Sequence, residues 1–312
     1  MQQLKWWKIV FPGAIVIMVV IFVSLMNVSF QNEKIVYQES DHFYKSVPIP
    51  DSVTFAGQSF PVSRFDIREA LDRELLVNSY FHSQTIRFIK LAPRYFSVIE
   101  PILEEKGIPD DIKYLAVAES NLNPKAVSPA GAVGFWQFMK VTGIEYGLEI
   151  NSEVDERYHV EKATRAASDY LLKSFRTFKN WFVVAAAYNS GNGFIQTQIA
   201  RQKSGSYFDL TFGEETERYV FRVIALKLVL EHPEHYGFRV DESEKYPLIE
   251  TRDVEVNGSV ANLADFAAGQ GISYKMLKYF NPWLRDNKLT NAHKKKYLIR
   301  IPKDINSFKP VE

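Results

Sequence analysis

Glu119 is the side chain of this 312-residue chain best set for acid–base chemistry. If the stretch from Ile112 is helical, Ala116, Leu115 and Ile112 precede it by three, four and seven positions and share its stripe. That stripe faces a core, so the carboxyl is desolvated and its pKa climbs from about 4.3 towards neutrality, which suits a general acid. One glutamate on a helix is more simply read as the partner of a neighbouring Lys or Arg. The unusual loop that follows, ending Gly131-Ala132-Val133-Gly134-Phe135-Trp136-Gln137, argues for more.

Hydrolysing a glycoside usually takes two carboxyl groups at a defined separation. Glu145, Asp155 and Glu156 lie downstream in polar surroundings, and no pattern sets one of them opposite Glu119. A single acid fits a reaction in which the substrate carries its own nucleophile. Other chemistries are harder to build. Of the six histidines only His232 and His235 are close, Pro233 breaks helical presentation between them, and there is no H-E-x-x-H pattern. No metal site and no cofactor are therefore expected. Gly191-Asn192-Gly193 follows a helix rather than a strand and reads as a turn, and Ser190 is outside a G-x-S-x-G elbow. The absence of cysteine excludes disulfides, thiolate metal sites, a Cys nucleophile and a cysteine-borne lipid anchor. With 38 basic and 37 acidic residues and no long basic patch, no nucleic-acid partner is expected.

The elements that must position Glu119 read as helices. Pro109-Asp110-Asp111 opens its own helix, and Pro124 forces an end near residues 121–123. Upstream, Ile67, Ala70, Leu71 and Leu75 give helical spacing from Asp66. A further helix runs to about Lys90, and another from Pro93 to Lys106 before Gly107. Downstream, residues 138–142 read as a short helix closed by Gly143 and residues 160–179 as a long helix. Residues 181–188, WFVVAAAY, form a buried helix too short to span a bilayer. A helix from Glu214 to Leu230 is ended by Pro233, so residues 66–240 are expected to form an all-α domain.

The two ends differ in kind. Beyond a charged linker at residues 241–246, a strand at 249–256, helices at 261–270 and 274–280 and a strand at 297–301 predict a β-α-α-β module within residues 247–305. Residues 9–26 are an apolar run behind Lys5 and Lys8, about 27 Å long as a helix, which predicts a membrane anchor over residues 1–30. The basic flank puts that end in the cytoplasm and the rest outside; a cleaved signal peptide is the competing reading. Residues 31–65, polar and carrying Pro48, Pro50 and Pro61, read as a tether.

Glu119-Ser120, Gly131-Ala132, Gly134-Phe135-Trp136-Gln137, Ala187-Tyr188-Asn189, Glu215-Thr216 and Tyr219-Val220 form an ordered series. It resembles the lytic murein transglycosylases of the soluble-transglycosylase type over roughly residues 87–229. The resemblance implies a mainly α protein with a lysozyme-like helical catalytic domain acting on peptidoglycan glycan strands. Glu119 would protonate the oxygen between N-acetylmuramic acid and N-acetylglucosamine. It would then take the proton from the muramyl C6 hydroxyl as a 1,6-anhydro ring closes. The same resemblance gives Ser120 a role in orienting the acid or binding sugar, and Gln137 a hydrogen bond to the saccharide. Tyr188 and Asn189 would line the cleft, and either Tyr188 or Tyr219 would hydrogen-bond Glu119. Trp136 would either stack on a sugar or fill the core, with packing the preferred reading. The last module resembles a degenerate LysM unit: Ser259-Val260-Ala261-Asn262-Leu263 stands at its entry and Asn281-Pro282 ends its second helix. A hydrolytic muramidase of the same fold, with a partner such as Asp155, and a non-catalytic glycan-binding scaffold are the alternatives.

Overall fold

The computed structural model describes residues 45–308. The apolar run at 9–26 and residues 31–44 of the expected tether lie outside them; among the described residues no helix is long and apolar enough to cross a membrane. The rest of that tether is not free chain: it carries a hairpin whose Val53, Phe55 and Phe60 are buried in the core. Strands β1 (Val53–Phe55) and β2 (Gln58–Phe60) pair antiparallel across Ala56-Gly57. Both turn residues have positive φ, 52° and 74°, as a two-residue hairpin link requires. Phe55 and Phe60 are buried, with ring centroids 5.8 and 6.1 Å from that of Phe182. Strands of three residues and an Ala-Gly turn give too short an alternation to read from sequence.

Helix α1 (Phe65–Tyr80) leads into α2 (His82–Glu105). The sequence predicts a break before Pro93, but α2 runs unbroken past Pro93 and Pro101. Both prolines lie on its exposed side, so their rings displace no core side chain. The carbonyl of Lys90, beside the first of them, accepts a hydrogen bond of 2.7 Å from the N–H of Tyr246. After a 3₁₀ turn at Asp110–Ile112 comes α3 (Lys113–Ser120), then α4 (Lys140–Glu145). Gly143 does not close the short helix; it lies inside α4, where a Cβ would stand 2.9 Å from Ile150 Cδ1. The glycine is there for close packing.

Helix α5 (Val160–Phe178) is followed by α6 (Trp181–Ser190), α7 (Asn192–Gln202) and α8 (Glu214–Glu231). α6 is buried from Trp181 through Ala187 and packs against α5, α7 and α8. Its entry is fixed by Asn180, whose side chain accepts from the N–H groups of Phe182 and Val183 at 2.9 and 3.1 Å. The turn expected at Gly191 is present, at φ 91°, but the chain resumes at once as α7, which the sequence reading did not anticipate.

The C-terminal module has the expected order: β3 (Thr251–Val256), α9 (Leu263–Gly269), α10 (Tyr274–Phe280) and β4 (Tyr297–Pro302). β3 and β4 are antiparallel, with Thr251 opposite Pro302 and Val256 opposite Tyr297. Buried Asn281 ties α10 to β4, donating to the Leu277 and Arg300 carbonyls and accepting from Arg300 N–H at 2.8 Å. The module docks on the helical part. Asp155 N–H donates to the Trp283 carbonyl at 2.9 Å and Arg285 N–H to the Glu153 carbonyl at 2.7 Å. Val133, Val154 and Tyr158 are part of its apolar core.

Candidate active site

Helix α3 presents every residue from Lys113 to Val117 and Ser120 to the interior, leaving Ala118 and Glu119 half-buried. It ends sooner than Pro124 demands. Asn121 takes the left-handed conformation and its N–H caps the Val117 carbonyl at 2.9 Å. Leu122 follows at φ 53°, a costly conformation for a branched residue, held by complete burial of its side chain. This strained pair fixes the end of the helix that carries Glu119.

The Glu119 carboxyl lies in a cleft of about 540 Å³ lined also by Ala118, Gln137, Tyr188, Asn189 and Tyr219. Tyr219, on α8, donates its hydroxyl to Glu119 Oε1 at 2.6 Å. Tyr188, the other candidate for that bond, instead donates to the Trp136 carbonyl at 2.6 Å. Both phenols are pushed well above their usual pKa, by burial first and the Glu119 charge second; they stay protonated donors. Glu119 itself is raised to about 7, by burial, against the hydrogen bond from Tyr219 and the charge of Arg222, which pull it down.

The glycine loop is built to a tight tolerance. Val133 pairs with both Val127 and Phe138 as isolated bridges. Arg157, itself paired with Asp155 at 2.7 Å, donates to the Gly131 and Phe138 carbonyls at 3.2 and 3.1 Å. Gly134, at φ 79°, lies so close to Arg157 that a Cβ would stand 2.0 Å from its carbonyl oxygen. Gln137 also has positive φ, 48°, and its amide N–H donates to the Gly134 carbonyl at 2.8 Å. Gln137 is also one of the residues that line the cleft. Trp136 is fully buried, its indole N–H donating to Thr164 Oγ1 at 2.9 Å, so packing is its role.

Asn189, at the end of α6, accepts from Thr216 Oγ1 at 3.1 Å, which couples that end to the start of α8. Ser120 corrects the sequence reading. It is buried, its hydroxyl donates to the Ala116 carbonyl one turn back at 2.8 Å, and it does not line the cleft. Asp155 is likewise spent on Arg157 and outside the cleft. The carboxylate that does share the cleft is Glu215, exposed and paired with Arg222 at 3.1 Å. Sequence reasoning passed over both as chemistry. Their spacing of seven residues on α8, three to either side of Tyr219 and its neighbour, was the available signal. Among the described residues no three His, Asp or Glu side chains gather as a metal site needs.

A raised carboxyl makes the fold pH-sensitive. Glu119 titrates near 4.5 when unfolded and near 7 when folded, so the folded state holds the proton more tightly. Its contribution to stability is complete below about 4.5 and is lost as pH rises through about 7. The melting temperature of a Glu119→Gln variant is therefore expected to gain on wild type between pH 5 and 8. An offset constant with pH across that window would rule out the raised value.

Residues 98–210 match the Transglycosylase SLT domain, and residues 252–305 match the Soluble lytic transglycosylase C-terminal LysM-like domain. The chain is 32% identical over 228 residues to Membrane-bound lytic murein transglycosylase D of Escherichia coli K12, covering 72% of this chain and 49% of that protein. A Putative tributyltin chloride resistance protein of Alteromonas is 28% identical over 111 residues, 35% of this chain and 53% of that one. The chain thus spans about half the length of the relatives it matches. Among solved structures, the 70 kDa soluble lytic transglycosylase of Escherichia coli aligns at 24% identity and TM-score 0.39, covering 49% of this chain and 27% of that one. The Slt transglycosylase of Pseudomonas aeruginosa aligns at 21% and 0.38, covering 51% and 28%.

Proposed function

We propose that this chain, which carries a transglycosylase SLT domain followed by a LysM-like domain, is a peptidoglycan lytic transglycosylase. The observation that carries the reading is Glu119: a half-buried carboxyl with its pKa lifted to about 7, hydrogen-bonded by one fixed tyrosine and facing an open cleft. At neutral pH such a group is available in both protonation states, as one residue acting first as acid and then as base requires.

In the first step the Glu119 proton passes to the glycosidic oxygen between N-acetylmuramic acid and N-acetylglucosamine, and the C1–O bond breaks. Positive charge at C1 is met by the carbonyl oxygen of the substrate's own acetamido group. In the second step the Glu119 carboxylate takes the proton of the muramyl C6 hydroxyl while O6 bonds to C1. The 1,6-anhydro end is released, Glu119 is protonated again, and no water is consumed. Tyr219 holds the carboxyl in place and favours its ionised form. Tyr188 stiffens the Trp136–Gln137 corner, and the Gln137 and Asn189 amides are the polar groups available to acetamido and hydroxyl groups of the sugar.

Glu215 in the same cleft is the observation favouring a water-using muramidase. Its pairing with Arg222 and its exposure speak against a role as the second catalytic carboxylate. A non-catalytic scaffold gives no reason to bury a carboxyl at the cleft floor. The product separates the readings: anhydromuramyl ends for the transglycosylase, reducing ends for the muramidase, none for the scaffold.

Tyr219→Phe tests the positioning role. Removing the donor destabilises the ionised carboxyl, so the pKa of Glu119 rises and the alkaline limb of the pH–rate profile moves up. Loss of orientation lowers kcat by about tenfold, in line with one hydrogen bond to a charged group. A fall in rate without any shift of the limb would reduce Tyr219 to packing.

An envelope location belongs to the same proposal. The apolar run at 9–26 behind Lys5 and Lys8 supports an inner-membrane anchor with the helical domain on the periplasmic side.

A further inference from the structure

A second cavity, about 610 Å³, lies where the helical part meets the C-terminal module, and its wall carries an excess of positive charge. Five cations line it, Arg87, Arg94, Lys125, Arg300 and Lys303, against two carboxylates. Those two are already taken: Glu161 pairs with Arg300 at 2.6 Å and Glu250 with Lys303 at 3.1 Å. Arg87 donates only to the Asn121 carbonyl at 3.1 Å. Arg94 donates to the Pro247 carbonyl at 3.0 Å and to the Tyr279 hydroxyl at 3.1 Å. With Lys125, these make three cations that have no carboxylate partner among the described residues. Uncompensated charge in a partly enclosed wall raises the local concentration of anions, and an arginine fork matches a carboxylate in particular.

The cavity and the cleft share no lining residue, but they are close along the chain. Residues 122–125 line the cavity and begin three positions after Glu119, so Leu122 stands within about 11 Å of Glu119 along the backbone. A neutral N-acetyl sugar makes no use of three unpaired cations. A glycan whose muramyl residues carry peptides with free carboxylates does. An extended stem of four or five residues spans about 13–18 Å, enough to leave the cleft at Glu119 and enter the cavity. Leu248 and Leu298 supply apolar wall for small side chains of such a peptide.

We propose that this interdomain cavity binds the carboxylate-bearing peptide of the substrate, so that the two domains together select peptide-substituted glycan. The proposal rests on peptidoglycan being the substrate. Its test needs no turnover: the full-length chain in detergent is titrated with a free-acid stem peptide and with the same peptide amidated at every carboxyl. The free acid is expected to bind, more weakly as salt rises, and the amide is not. Arg87→Gln combined with Lys125→Gln, both exposed positions, should lower the affinity tenfold or more at an unchanged melting temperature. Arg87→Lys with Lys125→Arg should restore it; should the double variant not fold, Lys125→Gln alone carries the comparison. Equal binding of acid and amide, wild-type affinity in the variant, or displacement by a neutral chito-oligosaccharide would overturn the proposal. Peptide binding by a chain that forms no anhydromuramyl product would instead sink the catalytic reading and leave this site standing.

Discussion

Glu119→Gln is expected to lower glycan cleavage by about 10²–10⁴-fold, the range general acid–base catalysis supplies. The loss should fall at the upper end, because the one side chain both gives and takes the proton. The substitution keeps the shape of the site. Gln has nearly the same volume, and its amide oxygen can still accept the hydrogen bond that Tyr219 gives to Glu119 Oε1 at 2.6 Å. Binding should therefore survive, with kcat falling far more than KM changes. Burial that raises the Glu119 pKa to about 7 is a cost above that pH, so the variant should be less active and more stable in the same buffer. Full activity in the variant would remove Glu119 from the chemistry.

Gly134→Ala is expected to be the most damaging small substitution in the fold. The added Cβ would meet the Arg157 carbonyl oxygen at 2.0 Å and its carbon at 2.9 Å, and both are backbone. Neither can swing aside as a side-chain tip can. Arg157 is in turn pinned to Asp155, Gly131 and Phe138, so the strain spreads through the loop that ends at Gln137. A loss on the order of 3 kcal/mol or more follows from clash and positive φ together, several degrees in melting temperature. Gly131→Ala is the control. It has φ 85° but open space around it, so it should cost only the left-handed conformation, about 1 kcal/mol. Equal melting of the two variants would mean that the close approach of the loop to Arg157 does not matter.

What could be read from the sequence was whatever repeats or pairs locally. The spacing of Ile112, Leu115, Ala116 and Glu119 carries both the helix and the burial of the acid. WFVVAAAY likewise announces a central helix, and the alternation at residues 249–256 a strand. Long-range choices were not legible. Nothing local distinguishes Tyr188 from Tyr219 as the partner of Glu119, since the bond from Tyr219 spans one hundred positions. Ser120 looks exposed to chemistry by standing next to the acid, yet a step of about 100° around the helix turns it inward to the Ala116 carbonyl. The continuous α2 and the hairpin at Val53–Phe60 were lost for opposite reasons. Proline rules assume an interior position, whereas Pro93 and Pro101 are exposed; the hairpin is too short for any periodicity. Glu215 entered only as part of the motif series and Arg222 not at all, and both are a wall of the cleft.

The measurement that bears most directly on the central claim is the mass of the muropeptides released from murein sacculi by the wild-type chain. A single acid that gives and retakes its proton produces 1,6-anhydromuramyl ends, each about 18 Da lighter than the hydrolysed form because no water is added. Products carrying free reducing ends would contradict the account, and would turn attention to Glu215 as the carboxylate that activates water.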